Sequence, residues 1–151
     1  MASPAGPTRL VKPLYTARAL ATGGRSGHAV TDDGLLDVHL RPPKEMGGPG
    51  GGTNPEQLFA AGYAACFQSA LVSAGRRAGV DTSDSLVVAD VSIGTAAGGG
   101  YGLAVTLKVS IPGVDAGTTA QVAEAAHQIC PYSRATRGNI EVTLTLYQAD
   151  V

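Results

Sequence analysis

Apolar residues alternate with polar or small ones along four stretches of the chain. Leu36, Val38 and Leu40 flank Asp37 and His39. The longest run is Leu103, Val105, Leu107, Val109 and Ile111; Ile140, Val142, Leu144 and Leu146 repeat it near the C-terminus. Val87, Ala89, Val91 and Ile93 repeat it more weakly. A period of two sets alternate side chains on one face of a strand, so these four stretches are predicted as strands. Two more are predicted before them, Leu14 to Ala21, ended by Gly23-Gly24, and the short run His28-Ala29-Val30. Asp33-Gly34 and Gly98-Gly99-Gly100 have the composition of hairpin turns.

The period changes in two places. From Asn54 the chain reads Asn-Pro-Glu-Gln, then Leu58, Phe59, Tyr63, Phe67, Leu71 and Val72 among many alanines. Asn54 is a good N-cap, Pro55 suits the first helical position, and Gln57 stands at the capping-box position. A helix is therefore expected to run to about Gly75 or Gly79. It is apolar nearly all round, which calls for burial on most faces. In a chain this small, a second subunit is expected to cover part of it. A second helix is predicted to open at Thr118-Thr119-Ala120-Gln121, with Val122, Ala125, Ala126 and Ile129 on one face. It should close at Cys130, because Pro131 disfavours helical geometry in the residue before it.

The predicted order is β-β-β-α-β-β-α-β, with too few helices for a doubly wound sheet, so the fold class is α+β. Residues 1–13, with three prolines and no periodicity, read as an extended N-terminal arm, and 14–151 as a single domain. Residues 42–52, ending Gly50-Gly51-Gly52, read as a flexible Gly/Pro-rich loop. Eleven Lys and Arg balance twelve Asp and Glu, and no basic stripe with interleaved aromatics suggests a nucleic-acid partner. The N-terminus has no apolar core of a signal segment, and no run is expected to reach membrane-spanning length. The expected compartment is the cytosol, where a lone cysteine pair is more often catalytic, redox-sensing or metal-binding than structural.

The chain has two cysteines. Cys66 lies about three turns into the first helix, among Ala64, Ala65 and Phe67, where desolvation raises a thiol pKa and the helix dipole acts weakly. It reads either as a small buried hydrophobe or as a nucleophile served by a cation. Among the arginines, Arg25, just after a Gly-Gly turn, is the best placed for that. Glu56 precedes Cys66 by ten residues, roughly 15 Å along a helix axis. It suits the helix dipole, and it suits orienting Arg25. Cys130 is expected at a frayed helix end, mobile, with Cys66 in a rigid interior. His127, one turn before Cys130, reads as a surface or packing residue. Zinc is disfavoured, since no two of Cys66, Cys130, His28, His39 and His127 have ligand-pair spacing.

The stretch Gly47 to Phe67, with Cys130-Pro-Tyr-Ser, Ala135-Thr-Arg-Gly-Asn-Ile and Tyr15-Thr-Ala through Arg25, resembles the organic hydroperoxide resistance (Ohr) branch of the OsmC-like family. Arg134 stands where that branch usually has Asn. The resemblance implies antiparallel sheets packed around long central helices in an intertwined homodimer. It implies a thiol peroxidase acting on alkyl and fatty-acid hydroperoxides. Cys66 would be its peroxidatic cysteine, Cys130 its resolving cysteine, and Arg25 and Glu56 its supporting pair. No bound cofactor or metal is expected. The implied reductant is a dihydrolipoyl group on a lipoylated protein. Phe59 and Phe67 are expected to favour an alkyl substituent on the substrate. A non-enzymatic dimer holding a hydrophobic ligand, its cysteines incidental, is the rival reading.

Overall fold

The long alternation over 103–111 forms the middle strand of a sheet in the computed structural model, which describes residues 6–147. The chain divides into two compact units, the first ending at Pro55 and the second beginning at Glu56.

The first unit is an antiparallel meander of β1 (Ala19–Thr22), β2 (His28–Thr31) and β3 (Asp37–His39). The predicted first strand is shorter than expected and starts later. Its partner β2 has only four residues, and the register runs from Ala19 opposite Thr31 to Thr22 opposite His28. Among the described residues Leu14 and Tyr15 find no strand to pair with, and residues 6–18 form no helix or strand. The first five residues of the expected arm lie outside the described residues. The Asp33-Gly34 turn forms as expected, with Gly34 at φ +73. The Gly/Pro-rich loop is better ordered than its composition suggests. A parallel bridge between Leu40 and Thr53 closes its base, and Lys44–Met46 form a 3-10 turn. The Gly48 and Gly50 amides donate to the Pro43 and Pro42 carbonyls inside it.

The second unit opens with helix α1 (Pro55–Ala78), beginning and ending where predicted. Its length and hydropathy are enough to cross a membrane, which corrects the expectation that no run would be. One face of it belongs to a protein core instead: Tyr63, Phe67 and Leu71 are fully buried. Strands β4 (Leu86–Thr95) and β5 (Tyr101–Ser110) form a ten-residue antiparallel hairpin, and β6 (Glu141–Leu146) lies on the other side of β5. The register sets Val87, Ala89 and Val91 beside Val109, Leu107 and Val105, and these beside Leu146, Leu144 and Val142. The alternation read from the sequence is this single face, and burying each of its larger side chains contributes about 1.5–3 kcal/mol.

Two features depart from the sequence reading. The β5–β6 pair is parallel, so the sheet is mixed rather than antiparallel. Two helices lie between those strands and supply the long crossover that parallel pairing needs. They are α2 (Ala116–Ile129) and α3 (Pro131–Thr136), of which α3 was not predicted. Helix α2 starts two residues early because Asp115 caps it, accepting from the Thr118 amide at 2.9 Å. Six residues of α3 are too few to show a hydrophobic period, but proline at a first helical position was a readable signal. Val122, Ala123, Ala126 and Cys130 close the core against α1 and β5.

Candidate functional site

The break between α2 and α3 is set by one residue. Pro131 keeps Cys130 out of helical geometry, and Cys130 is extended at φ −63, ψ 124. Its amide still donates to the Ala126 carbonyl, so the chain bends without unravelling. The bend turns the Cys130 side chain inward, where it is fully buried. On α1, Cys66 stands one turn after the buried Tyr63, at the edge of the buried face, and is half-buried. Both thiols are free, and their sulfurs lie 3.7 Å apart. A disulfide bond of about 2.05 Å requires a further approach of roughly 1.7 Å. The expected contrast is thus reversed, because Cys130 is enclosed and Cys66 has the exposed surface.

Burial is the largest influence on the Cys66 thiol and pushes its pKa up. The Tyr132 amide, which donates to the sulfur, works against burial, and the neighbouring Cys130 adds to it. Burial prevails within this set, so these surroundings favour the neutral thiol at neutral pH.

Beneath the thiols lies a chain of side-chain hydrogen bonds. His127 Nδ1 meets Ser133 Oγ at 2.7 Å, Ser133 Oγ meets Tyr63 Oη at 2.9 Å, and Tyr63 Oη meets Thr136 Oγ1 at 3.1 Å. Thr136 Oγ1 donates onward to the carbonyls of Tyr132 and Ser133. The chain joins α1, α2 and α3. His127 is held below the usual histidine range, by burial first and then by Arg137, with Glu124 opposing. Arg137 donates to the His127 carbonyl. His127 is therefore a bonded, half-buried residue, and the sequence pattern did not reveal its partners.

Phe59, Tyr63 and Tyr132 form an aromatic group with centroids 5.8–6.4 Å apart. Gly62 leaves room for it: a Cβ there would stand 3.2 Å from Tyr132 Oη. Phe59 and Tyr132 keep exposed surface. Phe67 does not, being fully buried against the His127 ring, so it is a core residue with no face to offer a ligand in this chain. Glu56 is half-buried in the first turn of α1. Tyr132 was missed, although it sits within the Cys-Pro-Tyr-Ser wording.

Arg25 belongs to the first unit. It is half-buried in a 3-10 turn, Gly24–Ser26, between β1 and β2. The turn is held by its backbone and by Arg41. Gly23 and Gly24 take positive φ, Leu40 donates to the Gly27 carbonyl, and Arg41 Nη1 donates to the carbonyls of Ser26 and Leu40. Gly27 admits no side chain, since a Cβ would come within 1.7 Å of the Thr22 carbonyl oxygen. Among the described residues no three of His, Cys, Asp and Glu cluster so as to hold a metal ion.

Residues 48–145 match the OsmC-like protein family. The organic hydroperoxide resistance protein of Xanthomonas axonopodis pv. citri is 52% identical over 142 residues, 89% of this chain and 96% of that one. OhrB of Bacillus subtilis, also named an organic hydroperoxide resistance protein, is 44% identical over 134 residues, 88% of this chain and 98% of that one. The crystal structure of an organic hydroperoxide resistance protein from Elizabethkingia anophelis superposes with a TM-score of 0.85 at 50% identity, covering 92% of this chain and all of that one. With two thiols meeting where α1 passes the bend between α2 and α3, and relatives this similar along nearly the whole chain, the protein belongs to the OsmC-like family, in its organic hydroperoxide resistance branch.

Proposed function

We propose that this protein is a cysteine-based peroxidase that reduces alkyl and fatty-acid hydroperoxides to alcohols. The contact between the free thiols of Cys66 and Cys130 at 3.7 Å carries this reading. Membership of the organic hydroperoxide resistance branch supports it. The more exposed sulfur, Cys66, attacks as thiolate on the distal peroxide oxygen. The O–O bond breaks, the alkoxide takes a proton and leaves as alcohol, and Cys66 becomes a sulfenic acid. Cys130 then displaces that hydroxyl, releasing water and closing the disulfide. A dithiol reduces it by exchange and is itself oxidised to a disulfide. The exposed aromatic surface of Phe59 and Tyr132 receives the alkyl group, in place of the expected pair Phe59 and Phe67.

The reading is tested by turnover of cumene hydroperoxide with dihydrolipoamide or with thioredoxin as reductant. Sustained consumption is expected with the lipoyl dithiol and not with thioredoxin, and none with Cys66→Ser under either. Equal turnover by Cys66→Ser would contradict the assignment of the attacking thiol. A wild type inert with every dithiol would contradict peroxidase function.

In this reading the working protein is a homodimer. The chain leaves Leu10, Val11, Leu14, Tyr15, Leu20 and Leu35 exposed, and Ala61 and Ala65 on α1 as well. A second subunit would cover side chains of this kind. Light scattering at low micromolar concentration should give twice the chain mass; a folded monomer there would refute the dimer.

Burial raises the Cys66 pKa, so the thiolate needs a cation, and this reading assigns it to Arg25, oriented by Glu56. The attacking form is deprotonated, so the rate climbs as pH rises through the Cys66 pKa. Arg25→Ala should move that rise to higher pH and lower the rate at pH 7 by roughly tenfold or more, since a nearby opposite charge shifts a pKa by about 1–3 units. Lysine at position 25 should restore part of it, and Glu56→Ala should do less harm. An unmoved pH profile in Arg25→Ala would show that another group activates the thiol.

A further inference from the structure

The hydrogen bonds beneath the thiols can be assigned a direction by counting protons. Thr136 Oγ1 has one proton, and keeping its contacts with the carbonyls of Tyr132 and Ser133, which can only accept, commits that proton to them. Its contact with Tyr63 Oη must then use the tyrosine proton. Tyr63 has no second proton, so its 2.9 Å contact with Ser133 uses the serine proton. Ser133 in turn has none left for His127, and the 2.7 Å contact requires a hydrogen on His127 Nδ1. Every contact is satisfied only if His127 is the Nδ1–H tautomer, donating into the chain from α2 toward α3. Ser133 and Tyr63 are fully buried, so a missing link would strand a polar atom without water.

The spacing of these residues gives the network its purpose. Tyr63 lies one helical turn before Cys66, His127 one turn before Cys130, and Ser133 one turn after it. Each cysteine therefore sits one turn from an anchor, and the anchors are bonded to each other. We infer that the His127–Ser133–Tyr63–Thr136 chain positions Cys130 against Cys66, and so decides whether an oxidised Cys66 closes to the disulfide or is over-oxidised. The inference rests on the peroxidase reading proposed above. The competing steps are balanced as follows. Cys66 sulfenic acid and the Cys130 thiol give the disulfide and water; Cys66 sulfenic acid and a second organic hydroperoxide give Cys66 sulfinic acid and the alcohol. Only the first depends on where Cys130 stands. Tyr63, Ser133 and His127 act through the cysteines and are positioning residues.

The test is the ratio of sulfinic acid to disulfide, read by mass spectrometry after a fixed excess of cumene hydroperoxide, in wild type, Tyr63→Phe, Ser133→Ala and Val109→Ala. Val109→Ala loosens the same core without touching the network. Tyr63→Phe and Ser133→Ala each lose two bonds of about 0.5–1.5 kcal/mol apiece, which should raise the ratio roughly fivefold to a hundredfold in both, with the first oxidation of Cys66 as fast as in wild type. Val109→Ala should keep the wild-type ratio. Nitrogen NMR of wild type should show His127 protonated on Nδ1 at neutral pH. A wild-type ratio in both network variants, an equal rise in Val109→Ala, or an Nε2–H tautomer would each overturn the inference. A wild type whose Cys66 is not oxidised at all would overturn the peroxidase reading and the inference with it, and that outcome is recognisable before any variant is measured.

Discussion

One proline bond governs the second unit. Because Pro131 denies Cys130 a helical conformation, the crossover from β5 to β6 is made by two helices with a bend between them, not by one long helix. The bend brings a buried thiol to a half-buried one and starts α3 within reach of α1. The Tyr132 amide that donates to Cys66, the hydroxyls that meet Tyr63, and the aromatic edge formed with Phe59 all follow from where α3 begins. A continuous helix through residue 130 would place none of them there.

The forces around that bend oppose one another. Packing Tyr63, Phe67 and Leu71 against β5 drives the unit together and removes water from the sulfur on the same helix. The same removal raises the pKa of the Cys66 thiol, which the proposed chemistry needs as thiolate. A single amide hydrogen bond offsets only part of this, which is why a cation is required for the proposed reaction. The buried hydroxyls pose a similar problem with a different answer. Left without partners they would cost about 1–3 kcal/mol each, but they satisfy one another and end on backbone carbonyls. A closed network of that kind stiffens the one place where two helices change direction.

The sequence made the sheet face and the long helix legible, because Val105, Leu107 and Val109 on one side and Asn54-Pro55 on the other obey local rules. Parallel pairing of β6 was not legible, since strand direction depends on how the intervening chain packs. Helix α3 is too short for a period, and the length of β1 is fixed by its partner rather than by its own residues. At the site, the pair Cys66 and Cys130 could be singled out from setting and motif, but their accessibility was inferred the wrong way round. A helix end before proline reads as frayed, whereas here it is folded inward. The network that His127 enters through Ser133 spans positions 63 to 136, a separation that no local pattern reports.

In the proposed reaction the two sulfurs in contact form one redox unit with a fixed order of oxidation. Peptide mapping under non-reducing conditions, after one equivalent of cumene hydroperoxide per chain and rapid quenching with a sulfenic-acid trap, tests it most directly. The trap should be found on Cys66 at the earliest times and give way to a peptide in which Cys66 is joined to Cys130 within the same chain. Trap on Cys130 before Cys66, or disulfides only between chains, would contradict the account.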